Sequence, residues 1–193
     1  MIKTEYATYK QYLSVDVYGG KKLTPFKKLS CRYLNPSTNA VLLIRQMKLW
    51  DSLKKTDNAI IRKFAGFISV MKYNRLVKKY GIFVNPEVKI GQGLKLPHPN
   101  GIIIGAKEIK VNVTIYQQVT IGSAHIGDYK AEGGPKQPII EDGVVLFSGS
   151  KVIGNIVVSS GSCVGANAVL TKNTESNNTY VGVPASKIVC GGV

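Results

Sequence analysis

Two histidines, His98 and His125, are the only imidazoles in a chain of 193 residues. Imidazole exchanges protons near neutral pH, so either ring has the chemistry of a general base acting on a hydroxyl. Two rings cannot supply the three imidazoles of a histidine-bound metal within one chain, and no metal is expected. Cys31, Cys163 and Cys190 are odd in number and lack metal-ligand spacing, which argues against a disulfide framework or a zinc site and suits a reducing compartment. Residue types alone leave each histidine as readily a surface or packing side chain as a base. What separates these readings is the scaffold.

From Val84 onward the apolar period is six. Val84, Ile90, Leu96 and Ile102 stand six apart; after a one-residue slip Ile109, Ile115 and Ile121 follow, and Ile140, Leu146, Val152, Val158, Val164 and Leu170 keep step. The position four later is small or apolar as well. An inward aliphatic residue every six describes one flat face of a three-sided coil, with three faces per turn and turns stacked as parallel strands about 4.8 Å apart. Glycine recurs too often for helix, and a period of six does not keep one helical face. The predicted fold is mainly β, a left-handed parallel β-helix over residues 81–193, with an excursion loop at 123–137 where the rhythm breaks. His98 falls near a corner of this prism, where a side chain projects outward. Cys163 and Ser162 fall at repeat positions and read as structural.

Residues 1–80 read as helices. Val41, Leu42, Ile44, Met47, Leu49, Trp50 and Leu53 recur at three- and four-residue spacing over 39–53; a second helix opens near 56–58, runs through Ile60, Phe64, Ile68, Met71 and Leu76, and stops at Gly81. This half is also basic, with 17 Lys and Arg against 4 Asp and Glu, while the remainder has 9 against 7, giving about +13 and +2 of the net +15. A solvated basic face explains that, as does attraction to an anionic membrane surface or polysaccharide. No nucleic-acid recognition motif accompanies the charge, so nucleic acid is not expected as a partner. The start has no apolar leader and no run approaches a membrane span, so the expected location is cytoplasmic, with peripheral contact at the inner membrane face as an option.

The ordered segments VNPEVKIGQGLKLPHPNGIIIG, VTIYQQVTIG, PIIEDGVVLFSGSKVIGNIVVSSGSCVGANAVLTK and YVGVPASKIV resemble the hexapeptide-repeat acyltransferases over about residues 82–189, and within them the serine O-acetyltransferase branch. The resemblance implies an enzyme that moves acetyl from acetyl-CoA to a hydroxyl by direct attack, without an acyl-enzyme. His98 then matches the general base, with His125 in the loop as its rival or as a contact to the acceptor or the cofactor. Resemblance further implies that the donor lies in a groove near Gly122, Ser148, Gly149, Gly165 and Ala166, that Gly182, Pro184 and Lys187 meet its nucleotide end, and that the protein is a homotrimer.

Three positions depart from that branch. Where serine-specific members carry an aspartate two residues before Asn85, another just before the base, and a histidine after the loop, this chain has Phe83, Pro97 and Gln137. Asn85, Phe83 and Gln137 are the candidate acceptor contacts. A free amino acid needs partners for both its charges, and burying either unpaired is costly. The expected acceptor is therefore a polysaccharide or sugar hydroxyl, as in capsule biosynthesis. Serine O-acetylation is the alternative, and a non-catalytic trimeric scaffold the second. A γ-type carbonic anhydrase of the same fold is excluded by the histidine count.

Overall fold

The first 80 residues fold as four helices in the computed structural model, which describes residues 2–125 and 136–188. These are α1 (Ile2–Asp16), α2 (Pro25–Tyr33), α3 (Pro36–Leu53) and α4 (Ala59–Tyr80). Three open on a side-chain cap: Thr24 accepts from the Lys27 N–H, Asn35 from Thr38, and Asn58 from both Ile60 and Ile61. Proline follows Thr24 and Asn35, at the one helical position where its missing N–H is harmless. The α3 start therefore lies at Pro36 rather than at residue 39, because Asn35 is the cap. Gly81 closes α4 with φ of 62°, the left-handed conformation that glycine tolerates best. None of the helices among the described residues is long and apolar enough to cross a membrane.

Short strands follow: β1 (Phe83–Val84), β2 (Lys89–Ile90), β3 (Ile103–Ile104), β4 (Glu108–Ile109), β5 (Thr114–Ile115), β6 (Thr120–Gly122), β7 (Ile139–Ile140), β8 (Val145–Leu146), β9 (Lys151–Ile153), β10 (Val157–Val158), β11 (Cys163–Val164), β12 (Val169–Leu170), β13 (Thr179–Val181) and β14 (Ser186–Lys187). Three sheets result, ordered β1-β3-β6-β9-β12, β2-β4-β7-β10 and β5-β8-β11-β13, with β14 folded back antiparallel on β13. The chain visits the first, second and third sheet in turn, so each circuit is one coil of a left-handed parallel β-helix.

Register puts the aliphatic residues in columns. The first sheet stacks Val84, Ile104, Ile121, Val152 and Leu170; the second Ile90, Ile109, Ile140 and Val158; the third Ile115, Leu146, Val164 and Tyr180. Each is at most 7% exposed, and full burial of such a side chain is worth roughly 1.5–3 kcal/mol. One member differs from the six-residue pattern. The first column runs through Ile104 and not Ile102, although both are buried. The surplus sits between Leu96 and the first sheet, in the corner that carries His98. There the chain makes a turn, with Asn100 N–H donating to the His98 carbonyl at 2.9 Å and Gly101 N–H to the Tyr80 carbonyl at 3.0 Å.

A buried ion pair ties the helices to the first coil. Arg45 of α3 meets Asp16, the last residue of α1, at 2.6 Å, with the two side chains 3% and 0% exposed. Its guanidinium also donates to the Ile90 carbonyl at 2.8 Å and to the Gly91 carbonyl, and stands over the Tyr12 ring. Asp16 accepts from the Gly93 N–H at 2.6 Å. Burial pushes the Asp16 carboxyl up, against the pull of Arg45 and of that N–H. Nearby, Lys48 donates to the Val88 carbonyl at 2.6 Å and to the Pro86 carbonyl, and burial lowers its pKa. One cluster of buried residues runs from Ala40, Ile44, Met47 and Leu76 into the coil interior.

Removing one partner of a buried pair strands the other. Arg45→Met should cost about 3–5 kcal/mol in chemical denaturation, whereas Lys54→Met, which breaks only the exposed Lys54–Asp51 pair, should change stability by less than about 1 kcal/mol. Equal effects of the two would refute the clamp.

Candidate active site

The corner between the third and first sheets forms one long edge of the prism. Strand register aligns Lys95, Thr114, Val145 and Cys163, so two residues further along Pro97, Tyr116, Phe147 and Gly165 fall in one row. Three further along stand His98, Gln117, Ser148 and Ala166. Gly182 follows β13 at the same edge, where its carbonyl accepts from the Val169 N–H at 3.0 Å. Four coil steps of about 4.8 Å place the Gly182 level roughly 19 Å from that of His98. The structure thus gathers His98, Ser148, Gly149, Gly165, Ala166 and Gly182 on a single edge.

His98 is exposed. Its ring lies 6.0 Å from that of Tyr116, which stacks on Phe147 at 5.4 Å and 15° between planes. Among the described residues no carboxylate is hydrogen-bonded to the His98 imidazole; Pro97 precedes it. The ring's contact is aromatic. Tyr116 and Phe147 are neighbours of His98 that sequence reasoning passed over, because their juxtaposition with His98 spans three coils and shows only in the register.

Backbone donors along this edge divide into two sets. The N–H groups of Gly149 and Gly165 are consumed by the coil, donating to the carbonyls of Gln117 and Tyr180 at 2.9 and 2.8 Å. Those of Gln117, Ser148 and Ala166 have no hydrogen-bond partner among the described residues. Donors that could meet an amide-rich ligand are therefore in the His98 row, and the two glycines serve by what they lack. A Cβ on Gly165 would come within 2.7 Å of Val181 Cγ1, and one on Gly149 within 2.0 Å of Asn167 Oδ1, at a φ of 71° that L side chains rarely adopt. Gln117 was not foreseen either; its Oε1 is buried without a partner.

Other sequence candidates lie across the first sheet, at its opposite edge. Phe83, 46% exposed, pairs in register with Ile103 and shares a shallow depression of about 340 Å3 with Asn85, Tyr73 and Gly105. Asn85 Oδ1 accepts from the Glu87 N–H at 3.0 Å. Gly122 ends β6 on this side, and the chain leaves there toward exposed His125 and returns at Gln137. Gln137 is 3% exposed, and its Nε2 is buried without a hydrogen-bond partner. Residues 126–135 of the excursion loop lie outside the described residues. Within one chain, then, His98 is not brought together with Phe83, Asn85, Gly122, His125 or Gln137. Among the described residues no group of three His, Cys, Asp or Glu could hold a metal. In the closing segment Pro184 is exposed, and Lys187 pairs with Glu175 at 2.7 Å, a hydrogen bond that raises its pKa.

No family model matches the chain. A serine acetyltransferase of Buchnera aphidicola is 36% identical over 142 residues, covering 73% of this chain and 46% of that protein. The chain spans about half the length of the curated relatives it matches. Among solved structures, a serine acetyltransferase from Brucella abortus is 26% identical with a TM-score of 0.71, covering 97% of this chain and 71% of that one. A serine acetyltransferase in complex with CoA is 23% identical with a TM-score of 0.70, covering 96% and 73%. These names contradict the polysaccharide or capsule acceptor expected from the sequence and favour its alternative. The expectation rested on the cost of burying unpaired amino-acid charges near Phe83, Pro97 and Gln137. That cost applies only where water is excluded, and Phe83 stands half in solvent.

The ring contact is testable by NMR. Tyr116→Ala should move the His98 Cε1–H resonance toward its unstructured position, and Tyr116→Phe should leave it in place, since phenylalanine keeps the ring. An unchanged resonance in Tyr116→Ala would remove Tyr116 as the ring's contact.

Proposed function

We propose that this protein is a serine O-acetyltransferase that uses acetyl-CoA as donor and His98 as general base. One observation carries the proposal: the imidazole stands in the same row as the unpaired N–H groups of Gln117, Ser148 and Ala166. Pantetheine is rich in amides, and backbone donors fixed on a rigid coil can hold such an arm without reorganising. The relatives, serine acetyltransferases, suggest the acceptor.

In this reading the donor extends along the edge with its thioester at the His98 level and its nucleotide toward Gly182, Pro184 and Lys187. His98 takes the proton of the serine hydroxyl as the oxygen attacks the acetyl carbon. The C–S bond then breaks, and the departing thiolate receives that proton from the imidazolium, leaving O-acetylserine and CoA. No side-chain nucleophile is required. Half-buried Tyr116 and exposed Phe147, stacked on each other, give the edge an apolar wall, which keeps the ring beside the reacting centre.

The acceptor side calls for a second copy. Phe83, Asn85 and Gln137 occupy the opposite edge of their own prism, so a homotrimer that sets this edge of one copy against the His98 edge of the next completes the site. Support comes from α4, whose Ile60, Phe64, Phe67 and Met71 are 52–81% exposed at the alternating four- and three-residue spacing of a helix contact.

Purified protein given acetyl-CoA and L-serine should release thiol and form O-acetyl-L-serine. His98→Ala should lower that rate by about 10²–10⁴-fold and leave CoA affinity within about threefold. Thiol release indifferent to L-serine would overturn the acceptor, and a His98→Ala variant retaining a tenth of the activity would overturn the base.

A further inference from the structure

α2 is amphipathic, but it is docked with its polar side inward. Phe26, Leu29 and Tyr33 share one helical face, at spacings of three and four, and are 76%, 55% and 56% exposed; Leu34 just beyond them is 74% exposed. No residue of α2 is buried. The helix is held by its other side: Arg32 Nε donates to the Tyr18 hydroxyl at 2.6 Å, and the Lys28 and Arg32 cations stand 5.9 and 5.8 Å from the Tyr18 ring. Two further bonds, from Thr38 Oγ1 to the Cys31 carbonyl and from Asn39 Nδ2 to the Arg32 carbonyl, fix its last turn against α3. Cys31 packs against the cluster of Leu13, Val17 and Leu42, which leaves the face of Phe26, Leu29 and Tyr33 as an exposed apolar patch of the kind that marks an interaction surface.

Charge decides the partner. From Lys21 to Leu34 the chain carries Lys21, Lys22, Lys27, Lys28 and Arg32 and no acidic residue. A second copy would set this cluster against surfaces short of free carboxylates, since of the four acids in residues 1–80 Asp16 is sealed against Arg45 and Asp51 is paired with Lys54. An anionic bilayer has the complementary charge and an apolar interior. We propose that α2 and Lys21–Lys22 dock this protein on an anionic phospholipid surface. Phe26, Leu29, Tyr33 and Leu34 enter the boundary between headgroups and acyl chains, and the cations meet phosphates. A depression of about 430 Å3 lined by Tyr18, Pro25, Lys28, Leu29 and Arg32 lies at the depth of the headgroups. This arrangement of apolar ridge and basic flanks is that of an interfacial helix. It does not depend on the acetyltransferase reading.

Co-sedimentation of the full chain with vesicles tests it. Phosphatidylcholine containing about 30% phosphatidylglycerol should bind the protein, and pure phosphatidylcholine should bind it at least about tenfold less well. Raising NaCl to about 0.5 M should release most of it. Phe26→Ser with Leu29→Ser, and separately Lys21→Glu with Lys22→Glu, should each weaken partitioning at least about tenfold. All four side chains are solvent-facing, so far-ultraviolet circular dichroism should match the parent. Equal binding to neutral vesicles, or variants that partition like the parent, would overturn the proposal. So would variants whose only change is a smaller sedimentation coefficient without lipid, because the face would then join copies of this chain.

Discussion

The structure depends on one packing constraint: each face of each coil must deliver one aliphatic side chain to a narrow three-sided interior. The interior has no room for a second size of repeat, so any residue beyond six must leave at a corner. Two departures from the repeat do this. The larger one leaves at the end of the first sheet and becomes the excursion that includes His125 and returns at Gln137. The smaller one, between Leu96 and Ile104, is the corner that projects His98. The aliphatic columns thus fix where chemistry can occur, because they decide which residues they reject.

The same rigidity makes the two edges different in kind. On the His98 edge the coils present a row of backbone donors beside an aromatic stack, a surface suited to an extended ligand rich in amides. On the opposite edge Phe83, Asn85 and Gln137 offer an aromatic face, a half-used amide and a buried donor without a partner. Neither edge is a complete site. Arg45 and Asp16 bind the helices to the coil immediately before His98, so the helical half is tied to the corner that carries that ring.

Much of this was legible in the sequence, for definable reasons. Thirteen aliphatic positions at spacing six gave the fold, and all thirteen are buried; only Ile102 was assigned to a column that belongs to Ile104, because a two-residue surplus looks like a one-residue slip when the sheets are not yet known. Helices α3 and α4 showed through their caps and periodicity. α2 did not, since its apolar face has no packing partner and left no core signature. Tyr116, Phe147 and Gln117 were invisible as site residues, being neighbours of His98 only across coils. The acceptor was misjudged because the charges missing at Phe83, Pro97 and Gln137 were taken to exclude an amino acid, although Phe83 stays 46% exposed, where an ionic group keeps its water.

A crystal structure of the protein with CoA tests the central claim most directly. The account predicts the thiol beside the His98 imidazole and the pantetheine amides accepting from the Ser148 and Ala166 N–H groups, with the nucleotide near Gly182. CoA lying along the Phe83–Gln137 edge, or on the His98 edge with its thiol at the Gly182 end, would contradict it.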